Sequence, residues 1–271
     1  MNPAWVNAHL GQAELTVVDV RWYHGEPDGG RNAFIKGHIP QSVFLDLDED
    51  LADRSDPTRG RHPLPDPSNF VQILARVGIG KRTRIVAYDD TSGSTAARLW
   101  WMLRWLGHEK VSVLDGGITR WESEGYPLES GAAVMPAQAT EPLEPIARQE
   151  MVADRFLLNA AHSGEIILLD ARAPERFRGE IEPIDFRAGH IPGAINTPFA
   201  NNLTDKVPQV FRRPAELRAM FEKLGITQDK QVVCYCGSGV TACHNILALE
   251  MIGFFNVHLY PGSWSEWIHH H

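Results

Sequence analysis

Residues 231–249, QVVCYCGSGVTACHNILAL, run from an apolar strand through a Gly-Ser-Gly turn into a segment of helical period. Residues 84–103, RIVAYDDTSGSTAARLWWML, do the same, with Asp89 standing where the later stretch has Cys236. Working outward, LTVVDVRW at 15–22 matches IILLDARA at 166–173, and KGHIPQSVFLDL at 36–47 matches AGHIPGAINTPF at 188–199. Downstream, VSVLDGGITRW at 111–121 matches VHLYPGSWSEW at 257–267. The offsets drift slowly: 170 minus 19 gives 151, 190 minus 38 gives 152, 235 minus 88 gives 147 and 262 minus 116 gives 146. Four blocks in one order make the chain a tandem duplication.

Within each copy, short apolar runs such as Val17 to Val20 and Ile85 to Ala87 alternate with longer helical segments such as AARLWWMLRWLG. That alternation predicts an α/β architecture, with a mainly parallel sheet flanked by helices in each half. The expected division is 1–125 and 151–268, joined by a Pro-, Ala- and Glu-rich linker over 126–150. Three closing histidines, His269, His270 and His271, read as a tag remnant and are set aside. With 34 acidic against 26 basic residues the net charge is −8, which argues against nucleic acid or an anionic membrane as partner. No basic, apolar leader opens the sequence and no apolar run nears the ~18 residues of a spanning helix, so the expected location is cytoplasmic.

The three cysteines, Cys234, Cys236 and Cys243, all lie within ten residues of one another. That spacing is not a disulfide framework and lacks the paired knuckles of a zinc site, so no metal is expected. Cys236 falls at a strand end, beneath a turn leading into a helix N-terminus. The backbone N–H groups of Gly237, Gly239, Val240 and Thr241 curl there into an anion-binding nest, and the helix dipole adds positive potential. Both effects lower a thiol pKa, which marks Cys236 as the nucleophile. Cys234 and Cys243 read as core packing, with a resolving-thiol role for Cys243 as the alternative. A cysteine-dependent phosphatase needs an arginine closing the loop. Ala242 stands there instead, and no arginine occurs between 236 and 250.

The paired Asp-x-Arg strand ends (Asp19, Arg21 and Asp170, Arg172), GHIP in both halves, ERFRGEIEP at 175–183, CGSGVTAC at 236–243 and YPGSWSEW at 260–267 together resemble the tandem-domain rhodanese family, the thiosulfate and 3-mercaptopyruvate sulfurtransferases. The resemblance implies two rhodanese-like domains, the second catalytic and the first inactive. The residues agree, since Asp89 cannot accept a sulfane sulfur. The implied reaction is a ping-pong transfer: a Cys236 persulfide forms and passes its sulfur to a thiol such as thioredoxin or glutathione, or to cyanide. No cofactor is needed, and a monomer suffices if His62 and Asp48 of the first half complete the site.

In that family basic residues after the cysteine accompany thiosulfate, whereas CGSGV here is neutral and favours 3-mercaptopyruvate. Ser238, His62 in RHPLP and Asp48 in DLDED resemble a Ser-His-Asp relay that would polarise the donor and move a proton as pyruvate leaves. His62 also fits a plain packing role, and Asp48 a solvated carboxylate. Arg176 matches the arginine that grips the donor carboxylate, where a planar fork suits a planar anion. A second family arginine is replaced by Ile184, with Arg187 three residues on as the candidate substitute. Thiosulfate is therefore the alternative donor. A persulfide carrier or redox sensor, motivated by Cys243, is a third reading.

Overall fold

In a computed structural model of the chain, residues 1–134, 136–161 and 164–271 are described. They form two compact units. The first contains β1 (Leu15–Asp19), β2 (Val43–Phe44), β3 (Arg84–Tyr88) and β4 (Val111–Val113), in the order β2-β1-β3-β4 with every neighbour parallel. The helices are α1 (Pro3–His9), α2 (Gly29–Lys36), α3 (Pro67–Arg76), α4 (Ala96–Trp105) and α5 (Gly117–Ser123). The second unit repeats the plan with β5 (Ile166–Asp170), β6 (Ile195–Asn196), β7 (Gln231–Tyr235) and β8 (Val257–Leu259), ordered β6-β5-β7-β8 and all parallel. Its helices are α6 (Pro174–Arg178), α7 (Pro214–Glu222), α8 (Ala242–Met251) and α9 (Ser263–His270). The expected α/β class and the duplication are both present, down to strand register: Asp19 pairs with Tyr88 as Asp170 pairs with Tyr235.

The central strands are apolar over their inner residues, 17–18, 85–87 and 232–234, because helices cover both faces of a parallel sheet, so these side chains meet a core rather than water. Val17, Val86, Tyr88 and Trp121 fill the first core. Leu168, Val233, Tyr235, Trp264 and Trp267 fill the second. Helix starts follow local chemistry. For example, Asp66 caps α3 by accepting from the amides of Ser68 and Asn69, with Pro67 in the first turn.

The repeated motifs are one clamp built twice. Arg21 binds Asp19 at 2.6 Å and donates to the carbonyl of Gly37; Arg172 binds Asp170 at 2.8 Å and donates to that of Gly189. The hydroxyls of Tyr88 and Tyr235 each accept, at 3.1 Å, the amide of the Ile in GHIP, Ile39 and Ile191. Each arginine places a further hydrogen bond on a backbone carbonyl, and Arg172 another on Glu182, which helps a buried charge to be tolerated.

Chain order and spatial units differ at three places. Residues 126–148, in the stretch whose composition suggests a linker, belong to the first unit, where Glu129 exchanges backbone hydrogen bonds with His38 and Arg148 donates to the Trp105 carbonyl. Residues 206–210 also join the first unit, and residues 54–63 join the second. The last difference carries His62 to the second unit. Helix α9 continues through the first two closing histidines to His270. No helix among the described residues is long and apolar enough to cross a membrane.

Candidate active site

Cys236 follows the last residue of β7 and is 2% exposed. A single turn, 262–265, holds it: the Cys236 amide donates to Ser263 Oγ at 3.1 Å, its carbonyl accepts from Trp264, and the Gly237 carbonyl accepts from Ser265. Gly239 lies at φ +77°, and a Cβ there would stand 2.4 Å from the Pro261 carbonyl oxygen. Only glycine meets both the left-handed conformation and that close approach. Helix α8 then begins at Ala242, so its first turn opens on the loop. Cys243, fully buried, donates its thiol to the Gly239 carbonyl at 3.3 Å. Burial pushes the Cys234 thiol well above its ordinary pKa, which keeps it a neutral core side chain.

The same turn receives residues 60–62. Gly60 is left-handed at φ +95°, where a Cβ would lie 2.7 Å from the Gly262 carbonyl oxygen, and the Arg61 amide donates to Ser265 Oγ. A short 3-10 turn, Pro57–Arg59, capped by Asp56, precedes it. His62 is thereby set with Nδ1 2.7 Å from Ser238 Oγ, and both side chains are buried. The structure thus joins Cys236, Ser238 and His62 in one unit. Asp48 lies in the first unit, where its carboxylate accepts from Trp22 Nε1.

Arg176 sits on α6, which Gly179 ends in a left-handed cap. Its guanidinium binds Glu182 at 2.6 Å and Asp185 at 3.2 Å. Glu182 also accepts from the amides of Ile184 and Asp185, closing the 182–185 loop on itself. Burial raises the Glu182 carboxyl, yet Arg176 and those amides outweigh it and hold it below its ordinary pKa. Arg178 pairs with Glu180 at the surface. Arg187 is exposed, and its backbone carbonyl accepts from Trp264 Nε1. The guanidinium that comes to the loop beside Arg176 is that of Arg61: a Cβ built on Gly237 would stand 2.7 Å from Arg61 Nη2 and 3.6 Å from both terminal nitrogens of Arg176. Among the described residues no group of three His, Cys, Asp or Glu side chains could hold a metal ion.

Sequence reasoning missed Arg61, Glu182 and Asp185. Arg61 directly precedes His62 in GRHPLP, and Asp185 closes EPID. Their neighbours were recognised, but nothing in sequence spacing tells that positions 61 and 185 meet.

A family model described as the rhodanese-like domain matches residues 2–124 and again 154–270. The chain belongs to the rhodanese-like family. Among similar proteins, a probable 3-mercaptopyruvate sulfurtransferase of Pseudomonas aeruginosa is 42% identical over 269 residues, covering 96% of this chain and 92% of that protein. A putative thiosulfate sulfurtransferase, SseB of Mycobacterium tuberculosis, is 41% identical over 256 residues, covering 93% and 87%. The crystal structure of SseA from Escherichia coli, described as a 3-mercaptopyruvate sulfotransferase, superposes with a TM-score of 0.85 at 33% identity, covering 97% of this chain and 98% of that one. Rhodanese-like domains thus account for both halves of the chain, with the cysteine present in the second alone.

Proposed function

We propose that this rhodanese-like protein is a sulfurtransferase that takes sulfur from 3-mercaptopyruvate through a persulfide on Cys236. The observation that carries the reading is the Cys236 loop with the His62–Ser238 hydrogen bond of 2.7 Å beside it. The Cys236 thiolate attacks the donor sulfur, the carbon–sulfur bond breaks, and its electron pair stays with the three-carbon fragment as the enolate of pyruvate. Ser238, backed by His62, polarises the donor carbonyl and relays a proton to that enolate, a role worth about 10²- to 10⁴-fold in rate. Asp48 enters as third relay member on the sequence pattern alone. The outer sulfur of the persulfide is then attacked by a thiolate acceptor such as thioredoxin or glutathione, or by cyanide, which restores the Cys236 thiolate. The amides of Gly237, Gly239, Val240 and Thr241 offer donors to the developing negative charge. Cytoplasmic location suits a thiol that must stay reduced, and one chain carries every group named.

The loop Gly237-Ser238-Gly239 brings no cation, which supports a donor with one negative charge over a dianion. Thiosulfate is the second reading, supported by the relative from Mycobacterium tuberculosis and by the two guanidiniums near Gly237. Side-by-side kinetics decide between them. Pyruvate release from mercaptopyruvate with a thiol acceptor should greatly exceed thiocyanate formation from thiosulfate and cyanide, and the reverse ranking sinks the donor assignment. Ser238→Ala should cost about 100-fold in kcat/KM for mercaptopyruvate. An unchanged value removes the relay.

A further inference from the structure

Arg61 and Arg176 reach Gly237 from distant parts of the sequence, one from the stretch before His62 and the other from α6. Both hold the same buried carboxylate: Asp185 Oδ1 pairs with Arg61 Nη1, and Oδ2 lies 3.2 Å from Arg176 Nη2. The Asp185 side chain is 5% exposed, whereas Arg61 keeps 28% of its side-chain surface open. Arg61 is not a mobile surface cation. Its backbone is pinned by the left-handed Gly60 and by its own amide on Ser265 Oγ, on the turn that also fixes Cys236. With Nη1 on Asp185, the other terminal nitrogen, Nη2, faces Gly237. Its pKa is pushed down by burial, with Asp185 and the Cys236 sulfur acting against that shift.

We infer that Arg61 is a donor-binding and specificity-determining residue: with Arg176 it grips the donor's carboxylate beside Gly237, while Asp185 holds both guanidiniums in place and limits the charge they accept. This rests on the 2-oxo acid reading of the donor given above. Two forked cations converging on one point suit a planar carboxylate, each N–H···O bond being charge-assisted. The formal charge explains the discrimination. Arg61, Arg172 and Arg176 are matched by Asp170, Glu182 and Asp185, so the cluster as a whole is close to neutral. A monoanion is held there by geometry, whereas a dianion finds no surplus positive charge to offset its desolvation.

The full-length chain with steady-state kinetics and a persulfide-discharge assay tests this. Arg61→Ala should raise KM for mercaptopyruvate about 10- to 100-fold, the scale of one lost charge-assisted hydrogen bond. Pyruvate, used as an inhibitor, should weaken in parallel. Transfer from preloaded Cys236 persulfide to cyanide, which carries no carboxylate, should slow far less. Arg61→Lys, which keeps the charge but loses the fork, should fall between, and it is the variant to measure if the alanine form does not fold. Asp185→Asn should shift the kcat/KM ratio toward thiosulfate about tenfold by releasing positive charge. Wild-type KM and pyruvate inhibition in the folded Arg61 variants overturn the inference. A wild-type enzyme that ignores mercaptopyruvate overturns the donor reading instead. Arg61 is then judged on thiosulfate, where an unchanged KM in Arg61→Ala rejects it.

Discussion

The two strand-end loops are built on one plan and filled differently. In each, the carbonyl at the strand end accepts a backbone amide from the turn after the fourth strand, Asp89 from Ile118 at 2.9 Å and Cys236 from Trp264 at 3.0 Å. Each has a left-handed residue three positions on, Ser92 at φ +58° and Gly239 at φ +77°, and another in the turn beyond, Gly117 at +56° and Ser263 at +54°. The contents are opposite in character. The Asp89 carboxylate accepts from the amides of Thr91, Gly93, Thr95 and Ala96 at 2.8–3.0 Å. The first loop therefore carries its own anion, fully buried, and its amides are spent on it. Complete burial pushes the Asp89 carboxyl above its ordinary pKa, with the four amides pulling the other way. The second loop reaches its helix one residue sooner, at Ala242, six residues after Cys236, where the first helix begins at Ala96, seven after Asp89, and it presents a sulfur beside Arg61, Arg176 and the His62–Ser238 pair. The difference is one of occupancy: the chain's own carboxylate takes up the amides of the first nest, and a thiol stands at the matching position of the second.

The sharpest way to break that contrast is at the two filling residues. Cys236→Ser should reduce sulfur transfer to the uncatalysed blank, because a hydroxyl at neutral pH is no sulfur nucleophile. Adding Asp89→Cys to that variant should restore nothing, since the first loop lacks the arginines and the His–Ser pair. Sulfur transfer regained in the double variant would refute the claim that the surroundings, and not the nest alone, make the site. Next in size, Asp89→Ala should destabilise the first unit by about 3 kcal/mol or more in urea unfolding, because four buried amides lose their acceptor and each such loss costs roughly 1–3 kcal/mol before relaxation. A variant as stable as wild type would mean that water takes over the nest.

The smallest effect belongs to the acid cluster of the second unit. Glu182 is held below its ordinary value of 4.5, so its contribution to stability is fully present above that range and is lost as pH falls through the lowered folded value. Glu182→Gln should therefore flatten the acid arm of the unfolding-midpoint profile while leaving the loss of the Asp89-bearing unit unchanged. An acid arm as steep as wild type would assign the acid sensitivity to other carboxylates.

Much of this was legible in sequence for a physical reason: periodicity and motif spacing report local structure. The strand ending at Cys236, the turn after it, the helix from Ala242 and the Asp-x-Arg clamps are all encoded in contiguous stretches, and duplication doubled their signal. Ser238 and Arg176 each lie in a short motif close to their own structural element, so their places follow from local sequence. Arg187 stood out by its position three residues past Ile184, but the structure leaves it exposed and brings Arg61 to Gly237. What the sequence could not show was the course of residues 54–63, which leave the first repeat and pack with the second unit.

By itself, then, the sequence determined the α/β plan, its repetition, the strand-end cysteine and the carboxylate at the matching position of the first loop, because each depends on residues close together along the chain. Only the tertiary structure decided that Gly60, Arg61 and His62 seat against the turn at 262–265, and that Asp185 joins Arg61 to Arg176. Those contacts span more than a hundred residues. They are selected by the fit of a left-handed glycine against a carbonyl and by the balancing of buried charge, and neither leaves a periodic trace in the chain.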